Sequence, residues 1–125
     1  MPPLPPFDDA RLEAISSVLG DTASGLTGSE IGRVLAQLGV DDTGPSTKRW
    51  RIFEALKARQ ARDRSGNIVG AFIQAALNPV RFVRRPAEHE ALTAALNEVL
   101  AFSGLMVGPD GHLARAEAVD RLRHE

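Results

Sequence analysis

The sequence contains no cysteine and no tyrosine, and only one tryptophan and five phenylalanines. Without cysteine, disulfide bonds, thiol chemistry and thiolate-bound metals are excluded, and a reducing compartment is compatible with the chain. No apolar run approaches the roughly 18 residues that a membrane-spanning helix needs, and the N-terminus lacks the basic and apolar regions of a signal peptide. These absences predict a soluble, cytoplasmic protein whose core consists mainly of Leu, Ile, Val and Ala.

Residue patterns for metal or cofactor binding are also missing. His89, His112 and His124 are scattered, with no ligand pair at helical spacing, so no metal site is predicted. The glycines match neither a phosphate-binding loop nor a dinucleotide fingerprint. We therefore predict no cofactor.

Hydrophobic periodicity predicts an all-α protein, with residues 1–125 forming a single helical domain. Apolar stripes and helix caps predict five helices, at about 8–19, 27–39, 46–62, 68–77 and 86–102, the second opened by a Thr27–Glu30 capping box. A short β-hairpin is expected around the turn 108–111, and the tail from Glu117 is a candidate sixth helix. The Pro-rich residues 1–7 are expected to form a flexible lead-in.

Charge is distributed very unevenly along the chain. Residues 46–86, here called the basic segment, contain ten basic and two acidic residues, although the whole chain has a net charge of −1. The flanking parts are correspondingly acidic. Such an asymmetry is informative about binding partners. The candidate nucleic-acid-binding residues are Lys48, Arg49, Trp50, Arg51, Lys57, Arg59, Arg62, Arg64, Arg81, Arg84 and Arg85.

The second and third helices have the order of a helix-turn-helix, with Lys48, Arg49 and Arg51 at the start of the candidate recognition helix. The loop 39–45 is longer than the usual turn of such motifs, which favours generic nucleic-acid binding over readout of base sequence. An alternative is that the same surface binds an acidic protein or an attached effector domain. Both alternatives describe a non-catalytic module.

An enzymatic alternative rests on Arg84 and His89. Their spacing resembles the Arg-(four to six residues)-His signature of HEPN ribonucleases, in which His serves as general base and Arg stabilises phosphate charge. Pro86 lies between them and prevents one continuous helix from presenting both side chains in regular register. The sequence therefore favours a chain without ribonuclease activity.

Several hydrophobic and turn phrases between residue 26 and about residue 118 resemble a region of bacterial Ymh-type proteins. They are LTGSEIG at 26–32, RDRSGN at 62–67, AFIQAA at 71–76, NPVRF at 78–82 and LNEVLAFSG at 96–104. Those proteins are associated with mobile elements and phage defence, and commonly join such a region to a C-terminal HEPN-like domain. The resemblance implies a sensor or targeting module, with any nuclease activity elsewhere.

Overall fold

Five α-helices and a two-stranded hairpin make up the part of the chain that the computed structural model describes, residues 3–42 and 47–116. The helices are α1 (Asp9–Leu19), α2 (Gly28–Gln37), α3 (Lys48–Asp63), α4 (Asn67–Ala76) and α5 (Pro86–Leu100). Short 3-10 helices at Pro79–Phe82 and Ala101–Ser103 precede and follow α5. The predicted helical fold with one hairpin is confirmed. The candidate sixth helix and position 46, the predicted start of the third helix, lie outside the described residues.

The helix ends follow local sequence signals. Asp8 caps α1 by accepting a hydrogen bond from the Arg11 N–H at 2.8 Å. The predicted capping box of α2 is present, with the Glu30 N–H donating to Thr27 Oγ1 at 3.1 Å and the Thr27 N–H donating to Glu30 Oε1 at 2.9 Å. Pro86 occupies the start of α5, where its missing N–H costs nothing. These caps fix the helix boundaries to within a residue or two of the prediction.

The helices surround one hydrophobic core. α1 packs against α3 and α5, while α4 contacts α2 and α3. α4 has the largest share of buried residues of the five helices, as its apolar run predicts. Fully buried side chains come from every helix and include Ile15, Leu19, Ile31, Leu35, Ile52, Leu56, Phe72, Ile73 and Leu96.

The hairpin pairs β1 (Leu105–Val107) with β2 (Leu113–Arg115) in antiparallel register, Val107 opposite Leu113. Side-chain amides attach it to the helices. Asn97 accepts a hydrogen bond from the Val107 N–H at 2.7 Å and donates one to the Val107 carbonyl at 3.0 Å. Gln74 accepts from the Leu113 N–H at 3.0 Å. The hairpin is therefore joined to α5 and α4.

The lead-in differs from the prediction. Leu4 and Phe7 are buried in the core rather than free. The amide of Gln60 both accepts from the Phe7 N–H at 3.0 Å and donates to the Phe7 carbonyl at 2.8 Å. Asn67 accepts from the Leu4 N–H at 2.8 Å. The proline content correctly predicted that this segment is not helical. Its backbone groups nevertheless attach it to the helices, because the side-chain amides of Gln60 and Asn67 hydrogen-bond to them.

Candidate nucleic-acid interface

The basic segment divides between α3 and the region around the Pro79–Phe82 helix, and α1 determines which part of α3 is accessible. The two helices run antiparallel, since Asp9 at the start of α1 meets Lys57 at 3.2 Å while Gly20 at its end meets the Arg49 backbone. A Cβ at Gly20 would lie 2.8 Å from the Arg49 amide nitrogen. Glycine is therefore required for α1 to end against the first turn of α3.

Two cations at the start of α3 hold the fold together. The Lys48 ammonium donates to the carbonyl oxygens of Leu26 at 2.7 Å and Asp21 at 2.9 Å. The Arg51 guanidinium donates to Asp42 at 3.0 Å and to the Gly28 carbonyl at 2.9 Å. The hydrogen bond with Asp42 raises the pKa of Arg51. Both side chains thus tie α3 to the segments before and after α2, instead of projecting freely as a recognition helix requires.

Cations further along α3 also have carboxylate partners. Arg59 contacts Asp63 at 3.0 Å and donates to the Gly39 carbonyl at 2.9 Å. Arg62 lies 3.6 Å from the same carboxylate, but its side chain is 68% exposed. Exposed pairs of this kind contribute little free energy and exchange partners easily. Arg59 is therefore mainly structural, and Arg62 is accessible.

At the other end of the basic segment, two arginines share one acid. Arg81 and Arg85 lie 3.6 and 3.7 Å from the Glu30 carboxylate, whose side chain is only 18% exposed. Partial burial by itself would raise the pKa of Glu30, but hydrogen bonds from Thr27 and the charges of Arg85 and Arg81 outweigh it and lower the pKa. The cluster connects the start of α2 to the start of α5.

Four of the predicted contact cations form no ion pair within the described ranges: Lys48, whose ammonium is held by backbone carbonyls, and Arg49, Arg64 and Arg84. Arg64 ends α3 in the left-handed region, with φ of 54°, and is exposed. Arg84 is exposed on the connection to α5. Arg49 is partly buried and lies beside Trp50.

Arg49 and Trp50 begin a row of cationic and aromatic side chains along α3. The guanidinium carbon of Arg49 lies 4.5 Å from the Trp50 ring centre. The Trp50 ring meets Phe53 edge to face at 5.5 Å and 90°, and the Lys57 ammonium lies 5.5 Å from the Phe53 ring centre. Phe53 is buried and Trp50 is partly buried, so the core holds the indole ring in a fixed orientation.

An open cleft of about 470 Å³ lies where the end of α1 meets the start of α3. Its volume falls in the range of roughly 300–1,000 Å³ typical of small-ligand sites. Lys48, Arg49 and Trp50 were predictable from the charge of the basic segment, whereas the short polar residues that also line the cleft follow no motif. The lining residues are Ser17, Gly20, Asp21, Thr22, Thr47, Lys48, Arg49 and Trp50.

The two residues of the candidate ribonuclease pair have different environments. His89 is 8% exposed, and its Nε2 lies 2.8 Å from the Leu77 carbonyl oxygen. Since a carbonyl accepts only, Nε2 carries the proton and cannot act as a base there. The ring also packs against Phe82 at 5.1 Å. His89 is bound inside the fold, whereas Arg84 is exposed.

Within residues 3–42 and 47–116, no group of three or more acidic or histidine side chains is placed to hold a metal ion. The helices of these same ranges are all too short or too polar to cross a membrane. Comparison of the chain with protein-family models, curated proteins and solved structures gives no match.

Proposed function

We propose that the protein is a non-catalytic nucleic-acid-binding module that uses the start of α3. One observation carries the proposal: Arg49, which has no carboxylate partner in the described chain, lies on the ring of Trp50 at the edge of an open cleft. A cation beside an aromatic plane combines phosphate attraction with base stacking. The other predicted contact residues contribute less, because most of their charge is compensated within the fold.

Internal charge compensation limits the expected affinity. Each phosphate that a cation neutralises contributes a slope of roughly −0.9 for B-DNA, or about −0.7 for single strands, to log affinity against log salt. Few free cations lie near the cleft, so we expect binding that is weak, strongly reduced by salt and largely independent of base sequence.

The test is the salt dependence of oligonucleotide binding by wild type and Arg49→Gln. The variant should flatten the slope by about one phosphate contact. Arg49 is a better choice than a joint replacement with Lys48 and Arg51, because those two stabilise the fold. Arg33→Gln is the matched control, since Arg33 is an exposed arginine on α2 without an ion pair in the described ranges. An equal loss in both variants would indicate a net-charge effect and contradict a site at Arg49.

The resemblance to Ymh-type proteins supports a wider proposal, in which the module is the sensing or targeting part of a phage-defence protein. In that arrangement, any nuclease activity belongs to an attached effector domain. The reading frame downstream in the gene is the informative observation. An in-frame HEPN-like domain would support the proposal, and an unrelated metabolic domain would contradict it.

We further propose that the chain itself does not cleave RNA, since His89 is buried and hydrogen-bonded to Leu77. Incubation of purified protein with single-stranded RNA should leave the RNA intact. The informative variant is Arg84→Ala, because Arg84 is exposed and its replacement leaves the core unchanged. Cleavage by wild type that is lost in Arg84→Ala would contradict the proposal.

A second candidate function, protein binding, is favoured by the surface around the Pro79–Phe82 helix. Val80 and Val83 are each 76% exposed, while Phe82 between them is buried. The apolar pair is thus presented by an anchored segment, next to the exposed Arg84. This surface suits an acidic partner segment with apolar side chains.

Selection from a random peptide display library tests the second candidate. Peptides that combine carboxylates with apolar residues should be enriched on wild type and should lose binding to a Val80→Ser, Val83→Ser double variant. Both valines are exposed, so this variant should fold normally. Enriched peptides that bind the variant equally well, or no enrichment, would contradict it.

A further inference from the structure

The geometry of the cleft distinguishes single-stranded from double-stranded nucleic acid. Trp50 is held edge to face by Phe53 at 5.5 Å, and the Arg49 guanidinium lies 4.5 Å from its ring centre. Unpaired bases stack on aromatic rings and on guanidinium planes in this way. Bases within a duplex already stack on their neighbours, so their faces are not available to Trp50.

The lining of the cleft includes hydroxyl-bearing residues that suit the edge of a base. Ser17, Thr22 and Thr47 line the cleft. The Ser17 hydroxyl donates to the Glu13 carbonyl at 2.8 Å and can still accept a hydrogen bond, while a threonine hydroxyl can both donate and accept. A base in a duplex uses its pairing edge for its complement. A cleft lined by both polar residues and an aromatic side chain therefore fits an unpaired base.

The charge of Asp21 limits where the phosphates of a bound strand can lie in the cleft. Its Oδ2 accepts hydrogen bonds from the Ser24 N–H at 2.9 Å, the Ser24 hydroxyl at 2.9 Å and the Ala23 N–H at 3.0 Å. These bonds, those of Ser24 first, lower the pKa of Asp21, so its carboxylate is charged at neutral pH. The carboxylate repels phosphate from the Asp21 side of the cleft, where the Lys48 ammonium is already occupied by the carbonyl oxygens of Asp21 and Leu26. Arg49, which has no carboxylate partner in the described chain, is the better phosphate contact.

We infer that the cleft between α1 and α3 binds an unpaired nucleotide, with its base against Trp50 and its phosphate at Arg49. The inference rests on the proposed nucleic-acid-binding function and makes it specific to single strands. DNA and RNA share this chemistry, since neither stacking nor phosphate contact requires a 2′-hydroxyl. Strands of both kinds therefore serve as probes.

The experiment measures binding of four probes of equal length at low ionic strength: oligothymidylate, oligouridylate, an abasic deoxyribose-phosphate strand and a DNA duplex. The abasic strand keeps the phosphates but has no bases. Base stacking is expected to make it bind roughly tenfold more weakly than oligothymidylate or oligouridylate, whichever binds tighter. The duplex should also bind more weakly than the tighter-binding of the two single strands that carry bases.

Trp50 is the only tryptophan in the chain, so intrinsic fluorescence reports on the cleft without any substitution. Oligothymidylate should quench it and the abasic strand should not. In Trp50→Leu, which keeps an apolar side chain against Phe53, the preference for strands with bases should disappear. A circular dichroism spectrum of the variant confirms that it is folded.

The outcomes separate the inference from the proposed function. A duplex that binds as tightly as the better single strand, or an abasic strand that equals it, would overturn the inference and leave nucleic-acid binding in place. Absence of binding by all four probes would overturn both. Equal preference for bases in Trp50→Leu and wild type would also overturn the inference, because the stacking site would then lie elsewhere.

Discussion

Arginines at the two ends of the basic segment have different environments. Arg81 and Arg85 lie on the shielded carboxylate of Glu30, and Arg85 also packs over Phe82 at 4.9 Å. Arg49 lies on an aromatic ring and has no carboxylate partner in the described chain. The first pair connects α2 to α5, whereas Arg49 borders an open cleft. The same residue type therefore stabilises the fold at one end and is free to bind a ligand at the other.

The difference arises from the acidic part of the chain before α3. Asp9, Glu30 and Asp42 all come from that part, and each pairs with a cation of the basic segment. Charge counted along the sequence identifies two oppositely charged stretches that attract each other. It does not identify which cations remain unpaired once those stretches are in contact. The free cations are those that no acid reaches, and Arg49 is one of them.

The largest expected effect comes from removing the shared acid. Glu30→Ala breaks the capping box of α2 and leaves Arg81, whose side chain is 18% exposed, without its partner. The Glu30 carboxylate also accepts a hydrogen bond from the Thr27 N–H at 2.9 Å. A hydrogen bond to a charged group contributes about 2 kcal/mol, so we expect the free energy of unfolding to fall by about that amount. Urea denaturation followed by circular dichroism measures it.

Glu88 provides the matched control, because it also pairs with Arg85, at 3.1 Å, but its side chain is 62% exposed. Solvent screening makes such a pair weak, so Glu88→Ala should change the free energy of unfolding by no more than about 0.5 kcal/mol. An equal loss in the two variants would show that shielding does not distinguish the Glu30 cluster from an ordinary surface pair.

The Glu30 contribution should also depend on pH. Because the folded state lowers the pKa of Glu30 below its usual 4.5, the carboxylate stabilises the protein fully above that pH and loses its effect as the pH falls through the folded value. The difference in unfolding free energy between wild type and Glu30→Gln should therefore shrink on acidification below pH 4.5. A difference that stays constant would contradict an ionised Glu30 in the cluster.

Most of the fold was predictable because its signals are local. The stripe of Ile31, Val34 and Leu35 and the Thr27–Glu30 capping box each lie within two or three turns of chain. The contacts that form the candidate site are long-range: Lys48 reaches Leu26, and Arg81 reaches Glu30. No periodicity encodes such pairings. The sequence therefore identifies the cations as candidates but leaves their partners undetermined.

A smaller effect distinguishes the two arginine environments by binding. Arg49→Gln should reduce the slope of log affinity against log salt by about 0.7 for a single strand, with little change in stability. Arg81→Gln should lower stability and leave the slope unchanged under conditions where the variant is folded. Fluorescence anisotropy of a labelled oligothymidylate at several salt concentrations measures the slope. The reverse result, with Arg81 affecting the slope and Arg49 not, would place the binding surface at the start of α5.

Lys57 is the intermediate case and has the smallest expected effect. It pairs with Asp9 at 3.2 Å, but the two side chains are 48% and 67% exposed, so Lys57→Gln should change the free energy of unfolding by less than about 0.5 kcal/mol. Asp9→Asn releases the lysine without removing it. If the side chains from Arg49 to Lys57 contact the backbone of a nucleic acid, Asp9→Asn should bind oligothymidylate slightly more tightly than wild type. This gain in affinity should vanish when Lys57→Gln is added. A gain that survives in the double variant would come from net charge alone, and the binding surface would then end before Lys57.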